Sequence, residues 1–129
     1  IQPDKQATDD DYDQAVALCI SNAERIAICI GTHNENSSLN GVALMNKMGL
    51  EAKDEKIFFS QLLGMSDHIS FNLSHHGFNV AKYVPYGPVS AVIPYLTRRA
   101  QENSGMAGQM GRELGLITKE LKRRRQEKS

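Results

Sequence analysis

The sequence predicts an α/β fold built from βα units around a parallel sheet, and three observations carry that expectation. Helical and strand-like segments alternate along the chain, as they do in βα units. The strand-like segments are short, apolar and rich in β-branched or aromatic residues, which suits strands covered on both faces. With 129 residues, 40% of them hydrophobic, the chain can form one modest domain. Three strands are legible, too few to close a barrel. A complete (βα)8 barrel needs about 250 residues, so the chain reads as about half of a larger βα domain.

Each element has its own justification. From Thr8 to about Ala23, Tyr12, Ala15, Val16, Cys19 and Ile20 recur at helical spacing, with Thr8 or Asp9 as N-cap and acidic residues in the first turn. Arg25 to Gly31 contains Ile-Ala-Ile-Cys-Ile and reads as the first strand, followed by the polar turn Thr32 to Ser37. A helix then runs from about Ser37 to Met48, with Gly49 as its stop. Lys56 to Ser60 is the second strand, Gln61 to Met65 the turn above it, and Asp67 to about His75 a short helix ended by Gly77. Phe78 to Val84 is the third strand. Pro85-Tyr86-Gly87-Pro88 is a turn whose last proline suits a first helical turn, and the next helix reaches about Asn103. A final helical segment, interrupted by Gly105, Gly108, Gly111 and Gly115, ends in a basic tail.

Formal net charge is zero, so no global field points to nucleic acid or membrane. The ends differ: Asp4, Asp9, Asp10, Asp11 and Asp13 make the start acidic, and Lys119, Lys122, Arg123, Arg124, Arg125 and Lys128 make the end basic. Such terminal runs read first as solvated ends. No apolar run approaches the roughly 20 residues of a membrane span. The opening Ile1-Gln2-Pro3-Asp4 has neither an initiator methionine nor a signal or transit pattern, as expected of a piece of a longer chain. Cys19 and Cys29 sit in apolar settings without metal-ligand spacing and read as buried, reduced thiols. His68, His75 and His76 have no carboxylate or cysteine at ligand spacing, so no metal site is expected. Neither a nucleophile elbow nor a glycine-rich phosphate loop follows any strand.

In parallel βα folds ligands bind at the C-terminal ends of the strands. Thr32, His33 and Asn34 end the first strand, Ser60 and Gln61 the second, and Tyr83 the third. On the helix that follows, Tyr95, Arg98, Arg99 and Glu102 share a direction at about 3.6 residues per turn. Val89, Val92, Ile93, Leu96 and Ala100 form a separate packing face. Paired guanidinium groups can hold a carboxylate bidentately. The plainer reading is an exposed helix with Arg98–Glu102 and Arg99–Glu102 ion pairs. For the strand ends it is ordinary helix capping and a structural histidine.

Three runs carry a resemblance: Phe59-Ser-Gln-Leu-Leu-Gly-Met-Ser-Asp67, Lys82-Tyr-Val-Pro-Tyr-Gly-Pro-Val89, and Ile93-Pro-Tyr-Leu-Thr-Arg-Arg-Ala-Gln-Glu-Asn-Ser104. Together with Thr32-His33-Asn34 they resemble the C-terminal part of the mitochondrial proline dehydrogenase family, from about Thr8 into the final helix. The resemblance implies an α/β fold that is the C-terminal portion of a distorted (βα)8 TIM-like barrel. About three βα units and a C-terminal helix would be present. Residues 1–129 would then be one barrel segment, with Ile1–Asp11 a leading loop and Gly105–Ser129 a C-terminal helix and basic tail.

The same resemblance implies non-covalent FAD, oxidation of L-proline to Δ1-pyrroline-5-carboxylate, and electron transfer to ubiquinone. It places the protein in the mitochondrion, on the matrix side of the inner membrane. By the family's pattern Arg98 and Arg99 clamp the substrate carboxylate, and Glu102 pairs with an arginine. Tyr83 and Tyr95 pack around the substrate ring, Leu62 lies near the isoalloxazine and substrate, and Thr32, His33 and Asn34 contact FAD. Ser60 and Gln61 are second choices. The hydroxyproline-preferring branch of the family tends to carry a serine where Tyr83 stands, which favours proline here. The earlier half of the barrel lies outside these residues, so the chain alone is expected to be inactive. The basic tail offers peripheral attachment to anionic lipid. The competing class is a non-catalytic βα fragment acting as an interaction module, which does not require polar residues at every strand end.

Overall fold

A computed structural model describes residues 2–104 together with Gly115 and Thr118. The chain divides into two compact units, Ile1–Tyr83 and Val84–Ser129. In the first unit the elements run α1 (Lys5–Ser21), β1 (Ile28–Gly31), α2 (Glu35–Lys47), β2 (Ile57–Leu62), α3 (Asp67–His75) and β3 (Val80–Tyr83). The described element of the second unit is α4 (Val89–Ser104). The fold is α/β, with a three-stranded parallel sheet in the order β1-β2-β3.

The register explains how one face of this sheet is buried. Ile28 pairs with Ile57 and Ile30 with Phe59, while Phe59 pairs with Val80 and Gln61 with Lys82. Side chains alternate across a strand, so these residues share a face. Connections of one hand place successive crossover helices on the same side. That side carries the core: Val16 and Ile20 of α1, Met45 of α2, and Ile69 and Leu73 of α3 cluster with Ile30, Ile57 and Phe59. Ile20, Ile30, Met45, Ile57 and Phe59 are fully buried, and each such side chain contributes roughly 1.5–3 kcal/mol. The opposite face carries Cys29, Gly31, Phe58, Ser60, Leu62, Ala81 and Tyr83.

A glycine sets how closely α2 approaches. A Cβ built on Gly41 would lie 3.1 Å from Ile30 Cδ1 and 3.3 Å from Phe59 Cε1. Phe59 meets the Phe78 ring edge-on, with centroids 5.7 Å apart. Polar bonds fix the far ends of the strands. Asn79 Nδ2 donates to Asp54 O at 2.7 Å and Ile57 O at 3.2 Å, and Ile28 N donates to Lys56 O at 2.7 Å.

Several boundaries differ from those expected. The first helix begins at Lys5 because Asp4, not Thr8 or Asp9, caps it, its Oδ1 accepting from Ala7 N at 2.8 Å. Most of Ile1–Asp11 is therefore helix rather than loop. The i,i+4 ion pair Lys5–Asp9 and the Gln6–Asp10 hydrogen bond line its exposed side. Strand β1 begins at Ile28 rather than Arg25, since Arg25 N and Ile26 N are bonded back to Asn22 O. β2 runs on through Gln61 and Leu62, which were expected in a turn, because β3 supplies partners as far as Tyr83. α2 begins at Glu35 rather than Ser37, capped by Asn34. α3 occupies the expected span, and Gly77 follows it with φ +87°.

Cys29 is exposed and Cys19 half-buried, against the expectation that both thiols are buried. Cys29 alternates onto the face opposite α1, α2 and α3, which an apolar run by itself does not reveal. Of the expected packing face in α4, Val89 is 75% and Ile93 54% exposed, Leu96 and Ala100 are exposed too, and Val92 is half-buried. The glycine-interrupted terminal segment and the basic tail lie outside the described residues, apart from Gly115 and Thr118, which are helical.

Two outcomes follow from this packing. Gly41→Val should lower stability by about 2 kcal/mol, because a branched side chain must displace Ile30 and Phe59. The full chain's unfolding midpoint measures this, and an unshifted midpoint contradicts the close approach. Burial on the core's edge, helped by Cys29 and Asp13, pushes the Tyr12 phenol up from 10.0 to about 12. Its folded value lies above its unfolded one. The stabilisation is therefore complete below pH 10.0 and is lost as pH rises through about 12. Tyr12→Phe should shallow the alkaline fall in stability over that interval; an equally steep fall speaks against the buried phenol.

Candidate functional site

Parallel pairing brings the C-terminal ends of β1, β2 and β3 to one edge of the first unit. Thr32, His33 and Asn34 form the link from β1 to α2, and all three are half-buried. Their local geometry is that of a helix entry. Asn34 N donates to Thr32 Oγ1 at 3.0 Å, and Asn36 N donates to Asn34 Oδ1 at 3.0 Å. The capping expected as the plainer reading is therefore present. It uses acceptor capacity, so the Thr32 hydroxyl and the Asn34 amide keep groups able to donate.

His33 has a more specific partner. Its Nδ1 lies 2.8 Å from Ser66 Oγ in the turn between β2 and α3. Gln61, 2% exposed, reaches across from β2 and donates through Nε2 to Thr32 O at 3.3 Å. Its Oε1 accepts from Ser70 Oγ at 2.8 Å. A buried amide without partners would cost a few kcal/mol, about 1–3 by mutational data; here both ends are satisfied. The turn is tied from the other side by Lys82 of β3, whose Nζ donates to Met65 O at 2.8 Å and pairs with Asp67 Oδ1 at 2.7 Å. The edge is thus one connected polar network drawn from three strand ends.

Leu62 and Tyr83 are register partners at the ends of β2 and β3. Leu62 is buried, whereas Tyr83 is 53% exposed. Ser60 stands within β2 on the open face, half-buried between Gly31 and Ala81. These small residues form a row across the three strands, and a Cβ on Gly31 would meet nothing within 4 Å. Donors at the adjoining edge suit an acceptor-rich cofactor. The residues present therefore fit a flavin. For a metal they do not: no group of three or more His, Cys, Asp or Glu among the described residues could hold one.

In the second unit Arg99 lies with its Cζ 5.2 Å from the centroid of the Tyr95 ring. The two are one turn apart on α4 and half-buried, while Arg98 is exposed. Stacking on an aromatic face restricts the freedom of a guanidinium. Glu102 belongs to the same helix, and the ion pairs expected from its side chain lie outside what is described.

Reading the sequence overlooked Ser66, Ser70 and Lys82. Two signals were available: a serine immediately before the Asp67 helix, and a glutamine inside a buried strand, which requires partners.

The sequence profile of a family described as proline dehydrogenase matches residues 1–112. The chain is 44% identical over 127 residues to proline dehydrogenase 1, mitochondrial, of Bos taurus, covering 96% of this chain and 21% of that protein. It is 45% identical over 122 residues to proline dehydrogenase 2, mitochondrial, of Arabidopsis thaliana, covering 92% of this chain and 26% of that one. It is also 41% identical over 128 residues to hydroxyproline dehydrogenase of Xenopus laevis, covering 96% and 28%. The chain thus spans about a quarter of the length of these curated relatives. No solved structure matches it.

For the edge itself, Asn34→Ala should cost about 1 kcal/mol through the lost cap, while Asn34→Asp keeps the acceptor and the stability. Thermal unfolding of both variants checks this; equal losses would show that Asn34 does not act as a cap.

Proposed function

The chain belongs to the proline dehydrogenase family, and on that premise we propose that it forms the C-terminal part of a distorted (βα)8 barrel that binds FAD and oxidises L-proline to Δ1-pyrroline-5-carboxylate. Two features carry this reading, one in each unit. One is a donor-bearing strand-end network beside an open row of small residues. The other is a tyrosine-stacked arginine followed in α4 by a carboxylate residue. The chemistry that FAD supplies when bound is acceptance of a hydride from the ring carbon next to the substrate nitrogen. The protein's task is then chiefly to hold a small zwitterion in one orientation.

Arg98 and Arg99 hold the substrate carboxylate, Arg99 being restrained by Tyr95. Two adjacent cations are costly to desolvate without an anion, and Glu102 serves as their counter-charge before substrate arrives. Leu62 and Tyr83 border the substrate ring. Thr32, His33 and Asn34 donate to the cofactor. The remaining strands come from residues beyond this chain, and electrons leave to ubiquinone. Since the bovine and Arabidopsis relatives are named mitochondrial, the proposed location is the mitochondrion, on the matrix side of the inner membrane. The basic tail from Lys119 to Lys128 would attach peripherally to anionic lipid there.

The Xenopus relative is named for hydroxyproline, so that substrate is the specific alternative. Tyr83 brings a bulky ring where a hydroxyl would need room, and proline is therefore favoured. KM values for the two substrates in the full-length enzyme decide between them. A lower KM for hydroxyproline reverses the assignment.

Arg99→Met in the full-length enzyme should raise the proline KM by about 10- to 100-fold, the worth of a charge-assisted hydrogen bond of about 1.5–3 kcal/mol. FAD retention should change little. An unaltered proline KM would remove Arg99 from the carboxylate clamp.

A further inference from the structure

Gln61 follows Ile57 and Phe59 on the buried face of β2 and is itself only 2% exposed. A hydrophobe there would need no partners, whereas a buried amide must find them. The direction of its two bonds is fixed by chemistry. Thr32 O is a carbonyl oxygen and can only accept, so the amide nitrogen of Gln61 faces it, at 3.3 Å. Oε1 then points to α3, where Ser70 Oγ donates to it at 2.8 Å. A flipped amide would set two carbonyl oxygens against each other.

Both ends of this bridge matter for where Thr32 lies. The last paired residue of β1 is Gly31, opposite Ser60. Thr32 comes directly after it, where the strand ladder no longer holds the backbone, and Gln61 supplies the bond that the ladder does not. The Thr32 carbonyl is thereby engaged, and its Oγ1 accepts from Asn34 N at 3.0 Å. What remains to the hydroxyl is donation, from a position set by both bonds. The far anchor is held independently. Ser66, the N-cap residue of α3, has φ 51° and ψ 40° and makes no side-chain capping bond. The helix entry is kept instead by Lys82 Nζ, which donates to Met65 O at 2.8 Å and pairs with Asp67 Oδ1 at 2.7 Å.

We propose that Gln61 is a positioning residue for the cofactor: its buried amide ties the Thr32 carbonyl to α3 and so holds the Thr32 hydroxyl where it donates to bound FAD. This rests on the reading of Thr32 as a cofactor contact. Gln61 itself, enclosed on the helix side of the sheet, acts only through Thr32.

The test uses full-length enzyme stripped of FAD and titrated with it. Gln61→Met nearly conserves side-chain volume and removes both bonds; the Ser70 hydroxyl can then turn to Ser66 O, 3.3 Å away. FAD binding should weaken about two- to tenfold, the effect of one neutral hydrogen bond. Gln61→Leu is the second variant and should show the same loss. On a Thr32→Val background, which lacks the hydroxyl, Gln61→Met should cause no further loss, because the two residues act through one contact. Asn79→Ala, which cuts the bonds at the opposite end of the strands, should lower the melting midpoint and leave FAD affinity unchanged. Unchanged affinity in both Gln61 variants, a loss that adds in full to that of Thr32→Val, or an equal loss in Asn79→Ala overturns the positioning role while leaving Thr32 a cofactor contact. Unchanged affinity in Thr32→Val instead removes Thr32 from the cofactor site, and the proposal falls with that reading.

Discussion

The packing of Phe59 against Gly41 of α2 and the edge of Phe78 determines where the strand-end residues of the first unit can lie. Phe59 is fully buried at the centre of the middle strand. A one-residue slip of β2 would turn Ile57, Phe59 and Gln61 to the open face and bring Phe58 and Ser60 inward. The hydrophobic cost of that slip locks the register, and the register carries Gln61 to the point where it meets Thr32 and Ser70. Gly41 is part of the same constraint, since a side chain there would press on Ile30 and Phe59.

From this apolar anchor the polar edge follows. Gln61 continues the buried face of β2 one step beyond Phe59, and there a side-chain amide takes the place of another hydrophobe. Its two bonds join the loop after β1 to the first turns of α3. Lys82, its register partner on β3, reaches the same turn through Met65 O and Asp67. A network whose members are all satisfied makes the edge rigid, and rigid placement is what a site that works by orientation needs. In α4, Tyr95 restrains Arg99 in the same spirit, an aromatic face limiting the freedom of a long cation.

The sequence made the order and type of the elements legible, because alternation and caps are local signals. The span Asp67 to His75 could be read directly, bounded as it is by Ser66 and Gly77. Features set by partners distant in sequence could not. β2 extends through Leu62 only because β3 offers partners to Tyr83. Cys29 is exposed because the unit puts all three of its helices on one side of the sheet. The start of α1 was misplaced because several aspartates compete for one cap and only Asp4 has the geometry. Of the candidate site, Thr32, His33 and Asn34 were readable as a polar strand end, and Tyr95 and Arg99 as members of one helical face. Ser66 was not readable, since its left-handed backbone and its reach to His33 exist only in the folded unit.

On the proposed function, these residues serve a flavin that proline reduces. The most direct measurement is an anaerobic titration of the full-length, FAD-loaded protein with L-proline, following the flavin's visible absorbance. The band should bleach as proline is added and return when an oxidised quinone is supplied. A band that stays unchanged at saturating proline, in protein shown to hold FAD, would contradict it.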